Sequence, residues 1–322
     1  MLFPTAVPAP GIPPGTIFHQ YNRRFFRRKG RATRHINPVD TIVFLQNNMA
    51  RQVDFRAIIK TNYREPKPRT TGITEIRGPY YSVMGTNYLQ DVLHTMSPWI
   101  DSLKFAGGSF AVIQPAALRD IIQMAHEYDV QVSTGGFMEY VLAQGKNGVK
   151  KYIQACAQAG FDIVELSAGS ISLSTDDWLR LIEMVEAAGM KAKPGVSIQF
   201  GAGGDTDPEQ LAASGYGDVS QAIRQAEKFL QAGASMIMIE SEGITGNVHP
   251  WRNDVVTAFT EALGMQHLMF EAADPPVFEW YIKNYGHRVN LFVDHSQVVQ
   301  LECLRQGIRG TQQTRGRIQG LD

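Results

Sequence analysis

The stretch Phe161-Asp162-Ile163-Val164-Glu165-Leu166-Ser167-Ala168-Gly169 decides the fold that the sequence predicts. It is a short apolar run that ends on a carboxylate and then breaks on small residues. Because helical patterns lie on both sides of it, a run this short predicts a strand buried on both faces, as in a parallel sheet. The same pattern returns at residues 236–240, 268–271 and 290–294, and each time it ends on an acid.

Strand and helix patterns alternate from residue 71 onward. The predicted strands are residues 72–77, 102–105, 130–133, 161–166, 191–200, 236–240, 268–271 and 290–294, the fifth interrupted by Pro194 and Gly195. Eight such units over roughly 240 residues predict a (β/α)8 TIM barrel. A doubly wound open sheet would need a glycine-rich phosphate loop after the first strand, and the Gly78-Pro79-Tyr80-Tyr81 stretch is not one.

The N-terminal stretch differs from the rest of the chain. It is rich in proline up to Pro14 and then basic from Arg23 to Arg34, so we predict an extension over residues 1–67 and a barrel domain over residues 68–322. Three interpretations of the extension stay open: a transit peptide, a basic arm for an anionic partner, or a solvated tail or packing extension.

Composition limits the classes of partner and compartment. Lys+Arg and Asp+Glu balance at 31 each, so we expect neither nucleic acid nor membrane as a partner. The two cysteines, Cys156 and Cys303, indicate a reducing compartment without a disulfide framework. We therefore expect a soluble cytoplasmic protein, with mitochondrial targeting by the basic N-terminus left open. The sequence also leaves open a homo-oligomer.

The active sites of TIM barrels lie at the C-terminal ends of the strands, and here those ends carry charged residues. Clustered carboxylates must be neutralised by a metal, by basic side chains or by protonation, and Mg²⁺ suits an all-oxygen site. Arg77 and Lys104 would then hold an anionic substrate group, and Gly107-Gly108 could offer backbone N–H groups to an anion. In the alternative interpretation these acids and bases only pair with one another, and His295 only satisfies the backbone.

Several motifs at these strand ends resemble one enzyme family. They are residues 103–109 (LKFAGGS), 135–140 (GGFMEY), 164–167 (VELS), 239–240, 270–272, and the tail from 290–291 to 301–310 (LECLRQGIRG). In this order and at these strand positions they resemble the phosphosulfolactate synthases, and the eukaryotic branch with its plant heat-stress-associated relatives is the most similar. The resemblance covers residues 71–311.

The resemblance implies a barrel enzyme that adds sulfite to phosphoenolpyruvate, a small anionic organic substrate, with the help of Mg²⁺. It implies metal ligands among Glu165, Glu240 and Glu271. Catalytic roles would fall to Lys104, Glu165, Glu240 and Lys193, with a lysine protonating the carbanion carbon. The implied substrate-binding set is Glu75, Arg77, Gly107, Gly108, Gly135, Gly136, Glu139, Ser167, Asp294 and His295.

The chain departs from the family pattern at three positions at or near the strand ends, and after the seventh strand Asp274-Pro275-Pro276 stands where a lysine for a phosphate is expected. Ala168 and Gly195 stand where the pattern has acids, and Glu242 stands where it has an arginine. Three hypotheses follow: a lyase or synthase of the family type, a repurposed barrel enzyme with a less anionic substrate, and a non-catalytic stress-associated protein. We favour an enzyme. A glycine-rich loop over residues 201–217 is a candidate lid.

Overall fold

Eight parallel strands close into a barrel in sequence order, which confirms the predicted TIM barrel. The computed structural model describes residues 54–167, 169, 171–199, 209, 213, 215 and 217–308. The strands are β1 (Thr74–Arg77), β2 (Ser102–Lys104), β3 (Gln131–Ser133), β4 (Ile163–Leu166), β5 (Lys191–Val196), β6 (Ile237–Ile239), β7 (Leu268–Glu271) and β8 (Leu291–Asp294). β8 pairs with β1, so the sheet has no open edge.

Helices surround the barrel and follow every strand. They are α1 (Thr86–Met96), α2 (Pro115–Glu127), α3 (Met138–Leu142), α4 (Gly145–Ala159), α5 (Thr175–Ala187), α6 (Val219–Gln231), α7 (Asn253–Leu263), α8 (Pro275–Tyr285) and α9 (Val298–Arg305). Among the helices of the described residues, none combines the length and the apolar character that crossing a bilayer requires.

The period of two along a strand places alternate side chains on the outer and the inner face of the barrel, and in β1 and β2 the outer residues are apolar and the inner ones polar. Ile76, Leu103 and Val164 are fully buried in the main hydrophobic core, which also takes in the apolar faces of the surrounding helices. Glu75 and Lys104 alternate with them and are equally buried, but their charged groups lie inside the barrel. The interior of this barrel therefore contains a group of charged residues, beside a small apolar cluster that β6, β7 and β8 contribute.

Strand β5 is regular where the sequence predicts an interruption. It runs from Lys191 to Val196 without a break, and Leu166 of β4 is the register partner of Pro194. The predicted interruption at Pro194 and Gly195 is therefore wrong. Proline removes one ladder donor but its backbone still fits an extended strand. The uninterrupted strand fixes the direction of Lys193, which is the register partner of Glu165.

The segment before β1 packs on the N-terminal side of the barrel. Arg64 pairs with Glu302 of α9 at 3.0 Å, and the Asn62 amide donates to the Arg305 carbonyl at 2.8 Å. The compact unit that contains the barrel begins at Lys60. The extent of the N-terminal extension stays a prediction, because residues 1–53 lie outside the described residues, as does most of the predicted lid at 201–217.

Asn290, just before β8, supplies a test of the fold. Its fully buried amide accepts from the Ile73 N–H and donates to the Met265 and Leu268 carbonyls. Asn290→Ala would leave these three backbone groups unpaired, so we expect a loss of about 3 kcal/mol in the free energy of unfolding, measured in urea. The exposed Asn284→Ala is the control, and an equal effect in both variants would contradict this account.

Candidate active site

Four charged residues form one continuous ion chain inside the barrel. Lys193 Nζ lies 2.6 Å from Glu75 Oε2 and 3.2 Å from Glu165 Oε2, and Lys104 Nζ lies 2.8 Å from the same Glu165 oxygen. The Ser102 hydroxyl donates to the other oxygen of Glu75 at 3.1 Å. Each charge is almost completely buried and has an opposite charge within contact distance, which is the condition for keeping ions in a protein interior.

The pairing determines the protonation states of the chain. Burial opposes the charge on Lys104, but the carboxylates of Glu165 and Glu75 outweigh it and raise the pKa of Lys104. Burial likewise opposes the charge on Glu165, but Lys104 and Lys193 together lower its pKa. Lys104 therefore stays a cation and Glu165 a carboxylate at neutral pH.

A second group contains only acids. Carboxylate oxygens of Glu240, Glu242 and Glu271 lie within 4.8 Å of one another at the C-terminal ends of β6 and β7. Burial and the neighbouring Glu271 raise the pKa of Glu240 well above its ordinary value, and the same two causes raise the pKa of Glu242. The described residues place no lysine within ion-pair distance of this group, so its charge is compensated far less than that of the ion chain.

Gly195 gives Glu240 the room it occupies. A Cβ atom at position 195 would lie 2.9 Å from Glu240 Oε1, closer than such an atom can approach without displacing the carboxylate. A larger residue on β5 would therefore turn Glu240 away from β5. The position of Glu240 in the acid group therefore depends on residue 195 being a glycine.

Arg77 connects the acid group with the ion chain. Its Nη2 lies 3.5 Å from Glu271 Oε1, and its guanidinium lies between the rings of Tyr81, at 4.9 Å, and Phe292, at 5.0 Å. The centre of the Phe292 ring also lies 4.1 Å from Lys104 Nζ, so one aromatic ring contacts both cations. Arg77 is nine-tenths buried, yet its Nε has no hydrogen-bond partner among the described residues.

Asp294 and His295 lie on the β1 side of the mouth. Asp294 accepts from the Ser296 N–H and hydroxyl, and these bonds outweigh the effect of burial and lower the pKa of Asp294. His295 Nδ1 lies 2.9 Å from the Arg77 carbonyl. A carbonyl can only accept, so His295 Nδ1 is the donor in this hydrogen bond.

The predicted glycine pairs allow close packing at the ends of β2 and β3. Gly107 and Gly108 have left-handed φ angles of 57° and 69°, and added Cβ atoms would collide with the rings of Tyr80 and Phe137. Gly135 also has a positive φ, and a Cβ atom added there would collide with the Phe105 carbonyl. These three contacts are with aromatic rings and backbone, not with the charged groups.

Three of the remaining predicted residues meet beside β4. A Cβ at Gly136 would lie 3.2 Å from the Ser167 hydroxyl and 3.9 Å from Glu165 Oε1, so this glycine keeps space next to the ion chain. Glu139 accepts from the Gly169 N–H at 2.7 Å and ties α3 to the loop after β4. Ala168, one of the positions that depart from the family pattern, lies outside the described residues.

The structure divides the predicted site into two parts and adds residues to it. Glu165 lies with two lysines, while Glu240 and Glu271 lie with Glu242, which the predicted set of metal ligands omits. Phe292 and Tyr81 were missed because they carry no charge. The available signal for Phe292 was its place two residues before Asp294 on β8, which sets it on the same inner face.

The acids outnumber the bases in the mouth. Among the described residues of the mouth and of the ion chain beneath it, six carboxylates face three basic side chains; the acids are Glu75, Glu165, Glu240, Glu242, Glu271 and Asp294, and the bases are Arg77, Lys104 and Lys193. The excess lies in the group of Glu240, Glu242 and Glu271. Three carboxylates with no thiolate or imidazole among them suit a hard divalent cation such as Mg²⁺, so the residues present fit the predicted metal.

A parallel (β/α)8 barrel with acids, a lysine and an arginine converging on its C-terminal mouth is the layout of a barrel enzyme. The family model described as (2R)-phospho-3-sulfolactate synthase (ComA) matches residues 62–311. The chain therefore belongs to the phosphosulfolactate synthase family.

Individual relatives fall in two groups. The chain is 38% identical to the Arabidopsis thaliana protein HEAT-STRESS-ASSOCIATED 32 over 267 residues, which cover 80% of this chain and 93% of that one. It is 27% identical to the phosphosulfolactate synthase of Methanothermobacter thermautotrophicus, with 77% of this chain and 93% of that one covered. The phosphosulfolactate synthase of Methanocaldococcus jannaschii is 25% identical, and the match covers 69% of this chain and 87% of that one. The resemblance to the eukaryotic branch is thus confirmed.

Removing Lys193 tests the ion chain. Lys193→Met leaves Glu75 with a serine hydroxyl and Glu165 with one cation in place of two. We expect the free energy of unfolding to fall by about 3–5 kcal/mol, measured by urea denaturation. Lys191→Met on the same strand is the matched control, because Lys191 is exposed and contacts only the Gln131 amide among the described side chains. Equal losses would contradict a special role for the chain.

The raised pKa of Glu240 gives a pH-dependent prediction. The pKa of Glu240 is higher in the folded protein than in the unfolded one. The folded protein therefore loses stability as the pH rises from the pKa of the unfolded state towards the pKa of the folded state. In EDTA, Glu240→Gln should match wild type below about pH 4.5 and then gain up to about 1.4 kcal/mol per pH unit. Thermal unfolding at several pH values measures this, with the exposed Glu183→Gln as control. A gain that is independent of pH would disprove the assignment.

Proposed function

We propose that this protein is a metal-assisted lyase or synthase that adds a nucleophile to a small enol or enoate, as phosphosulfolactate synthases add sulfite to phosphoenolpyruvate. The nucleophile forms a bond to the methylene carbon, and the double-bond electrons move onto the substrate carboxylate as an enediolate. A proton then returns to the adjacent carbon. No group other than the nucleophile and the proton is needed to balance this addition.

One observation carries the proposal: an incompletely satisfied arginine lies against a group of acids. Arg77 Nη2 is 3.5 Å from Glu271, and the buried Arg77 Nε has no hydrogen-bond partner among the described residues. A substrate carboxylate or phosphate would satisfy Arg77, and a cation would neutralise the acids beside it. A small anion and a metal together fit such a mouth better than either one alone.

In this proposal each charged residue of the site has a separate role. Arg77 binds the anionic group, and the rings of Tyr81 and Phe292 fix the plane of its guanidinium. Lys104 stays protonated, lies at the outer end of the ion chain, and is the proton donor to the substrate carbon. Glu165 orients Lys104, and Lys193 acts behind it as a positioning residue that holds Glu165.

The metal would be held by Glu240, Glu242 and Glu271. When bound there, Mg²⁺ would supply stabilisation of the negative charge that develops on the substrate carboxylate. Glu165 is left out of this set, because both of its ionic contacts are with lysines at 2.8 and 3.2 Å. Glu242 replaces it as the third ligand.

A second candidate function is the same chemistry on a less anionic substrate. Glu242 and Asp294 flank the mouth in addition to Glu240 and Glu271, so a trianion such as phosphoenolpyruvate meets more repulsion than a monocarboxylate does. One divalent metal ion does not neutralise all of these carboxylates. The negative charge that remains at the mouth favours the less anionic substrate.

Calorimetry with phosphoenolpyruvate, in Mg²⁺ and in EDTA, tests the proposal. We expect binding that depends on Mg²⁺ and that Arg77→Gln weakens by at least about tenfold, since a buried charge-assisted contact to the anion is lost. The exposed Arg180→Gln on α5 is the control. Binding of pyruvate but not phosphoenolpyruvate would favour the second candidate. Absence of binding by both would favour a non-catalytic stress-associated protein.

Metal binding is tested separately, with Mn²⁺ as a spectroscopic substitute for Mg²⁺. Glu242→Gln should weaken Mn²⁺ binding by about tenfold or more, because affinity follows the number of charged ligands. Glu165→Gln should leave Mn²⁺ binding nearly unchanged, since that carboxylate belongs to the ion chain. Electron paramagnetic resonance titration measures both, and the reverse order of effects would contradict the proposed ligand set.

A further inference from the structure

The opposite end of the barrel contains an open cavity. Its volume is about 760 Å³, and its lining includes the first residues of β2, β3 and β5 together with the loops that precede the strands. This places it in the lower half of the barrel lumen, on the N-terminal face. Barrel interiors of this class are ordinarily filled by layers of side chains, whereas the described residues leave space in this part of the lumen.

One wall of the cavity is apolar. Ile73, Ile163, Met236 and Met269 line it, and the two methionines belong to or pack on the small hydrophobic cluster inside the barrel. Methionine side chains adapt to ligands of irregular shape. The volume lies within the range of pockets that bind small organic molecules, which are mostly apolar with a few polar groups.

The polar groups lie at the two ends of the cavity. Its deep end is formed by the Lys193–Glu75 pair and Ser102, which satisfy one another. At the rim, Lys67 donates to three backbone carbonyls and Arg69 pairs with Asp101. These groups are therefore already saturated by the protein.

Lys191 is the exception at the rim. Its Nζ contacts only the neutral Gln131 amide, at 3.2 Å, and no carboxylate of the described residues pairs with it. Around the opening, the cations Lys67, Arg69 and Lys191 face the carboxylates Asp101 and Asp129, which leaves one positive charge in excess. An anionic group at the mouth of an apolar cavity would complete this arrangement.

We propose that the lower lumen is a second ligand site, separate from the C-terminal mouth, for a small amphipathic organic anion. Its carboxylate would pair with Lys191, and its apolar body would lie against Met236 and Met269. Ligands of this class share a short hydrocarbon chain and one negative charge. The proposal does not depend on the reaction at the other end of the barrel.

Octanoate and the fluorescent anion 8-anilinonaphthalene-1-sulfonate are suitable probes for the full chain. We expect octanoate to bind by calorimetry with one site and to displace the dye. Butanoate should bind about tenfold or more weakly, because it buries fewer methylene groups. Neutral octanol should bind about fivefold more weakly, which is the change in affinity that an exposed ion pair supplies. An equal affinity for octanoate and butanoate would overturn the proposal.

Two pairs of variants locate the site. Met236→Trp fills the lumen and should abolish octanoate binding, whereas Met184→Trp on α5, which lies outside the cavity, should leave it unchanged. Lys191→Gln should weaken binding about fivefold, and Lys228→Gln on α6 should not. Wild-type affinity in Met236→Trp would overturn the proposal.

A measurement on the unaltered protein decides the question if Met236→Trp does not fold. Octanoate should slow acetylation of Lys191 by acetic anhydride several-fold, measured by peptide mass spectrometry, and should leave Lys228 unaffected. Protection of neither lysine, or of both equally, would show that the carboxylate does not lie at the rim. No saturable octanoate binding to the wild-type protein at millimolar concentration would equally overturn the proposal.

Discussion

Lys193 is the interaction centre on which the rest of the barrel interior depends. It contacts Glu75 at 2.6 Å and Glu165 at 3.2 Å, and its side chain is almost fully buried. Each carboxylate alone would be costly in a low-dielectric interior, and each is tolerable because the same ammonium group serves both. The second lysine, Lys104, can then use its charge at the mouth, since Glu165 is already held from behind.

The charged residues of the interior therefore form two groups, one in which the charges balance and one in which they do not. The ion chain from Glu75 to Lys104 is balanced, with two cations and two carboxylates in alternation. The acid group is not balanced, which is why the pKa values of Glu240 and Glu242 rise while that of Glu165 falls. Acids whose charge is not compensated gain most from a bound cation, so we place the metal at the acid group, next to Lys104 at the end of the balanced chain.

The chain has two kinds of relative, and two of the positions that depart from the family pattern expected from the sequence lie at the acid group. The chain is more similar to a plant heat-stress-associated protein, at 38% identity, than to the two archaeal synthases, at 27% and 25%. Two of the three departures, Gly195 and Glu242, lie at the acid group. Gly195 makes the space that Glu240 occupies, and Glu242 supplies the third carboxylate. The ion chain, in contrast, contains none of the three positions.

The sequence alone determined the barrel, its eight units and the strand-end position of most charged residues, because short apolar runs between helical patterns are local signals. Only the tertiary structure decided which charges meet. Glu165 pairs with Lys193 across the β4–β5 register, Glu242 joins Glu240 and Glu271, and Phe292 lies against both Arg77 and Lys104. Contacts inside a closed barrel join residues far apart in the chain, and a shift of one residue in register would turn each side chain to the other face. The same non-local geometry left the lower lumen open, which no pattern along the chain could indicate.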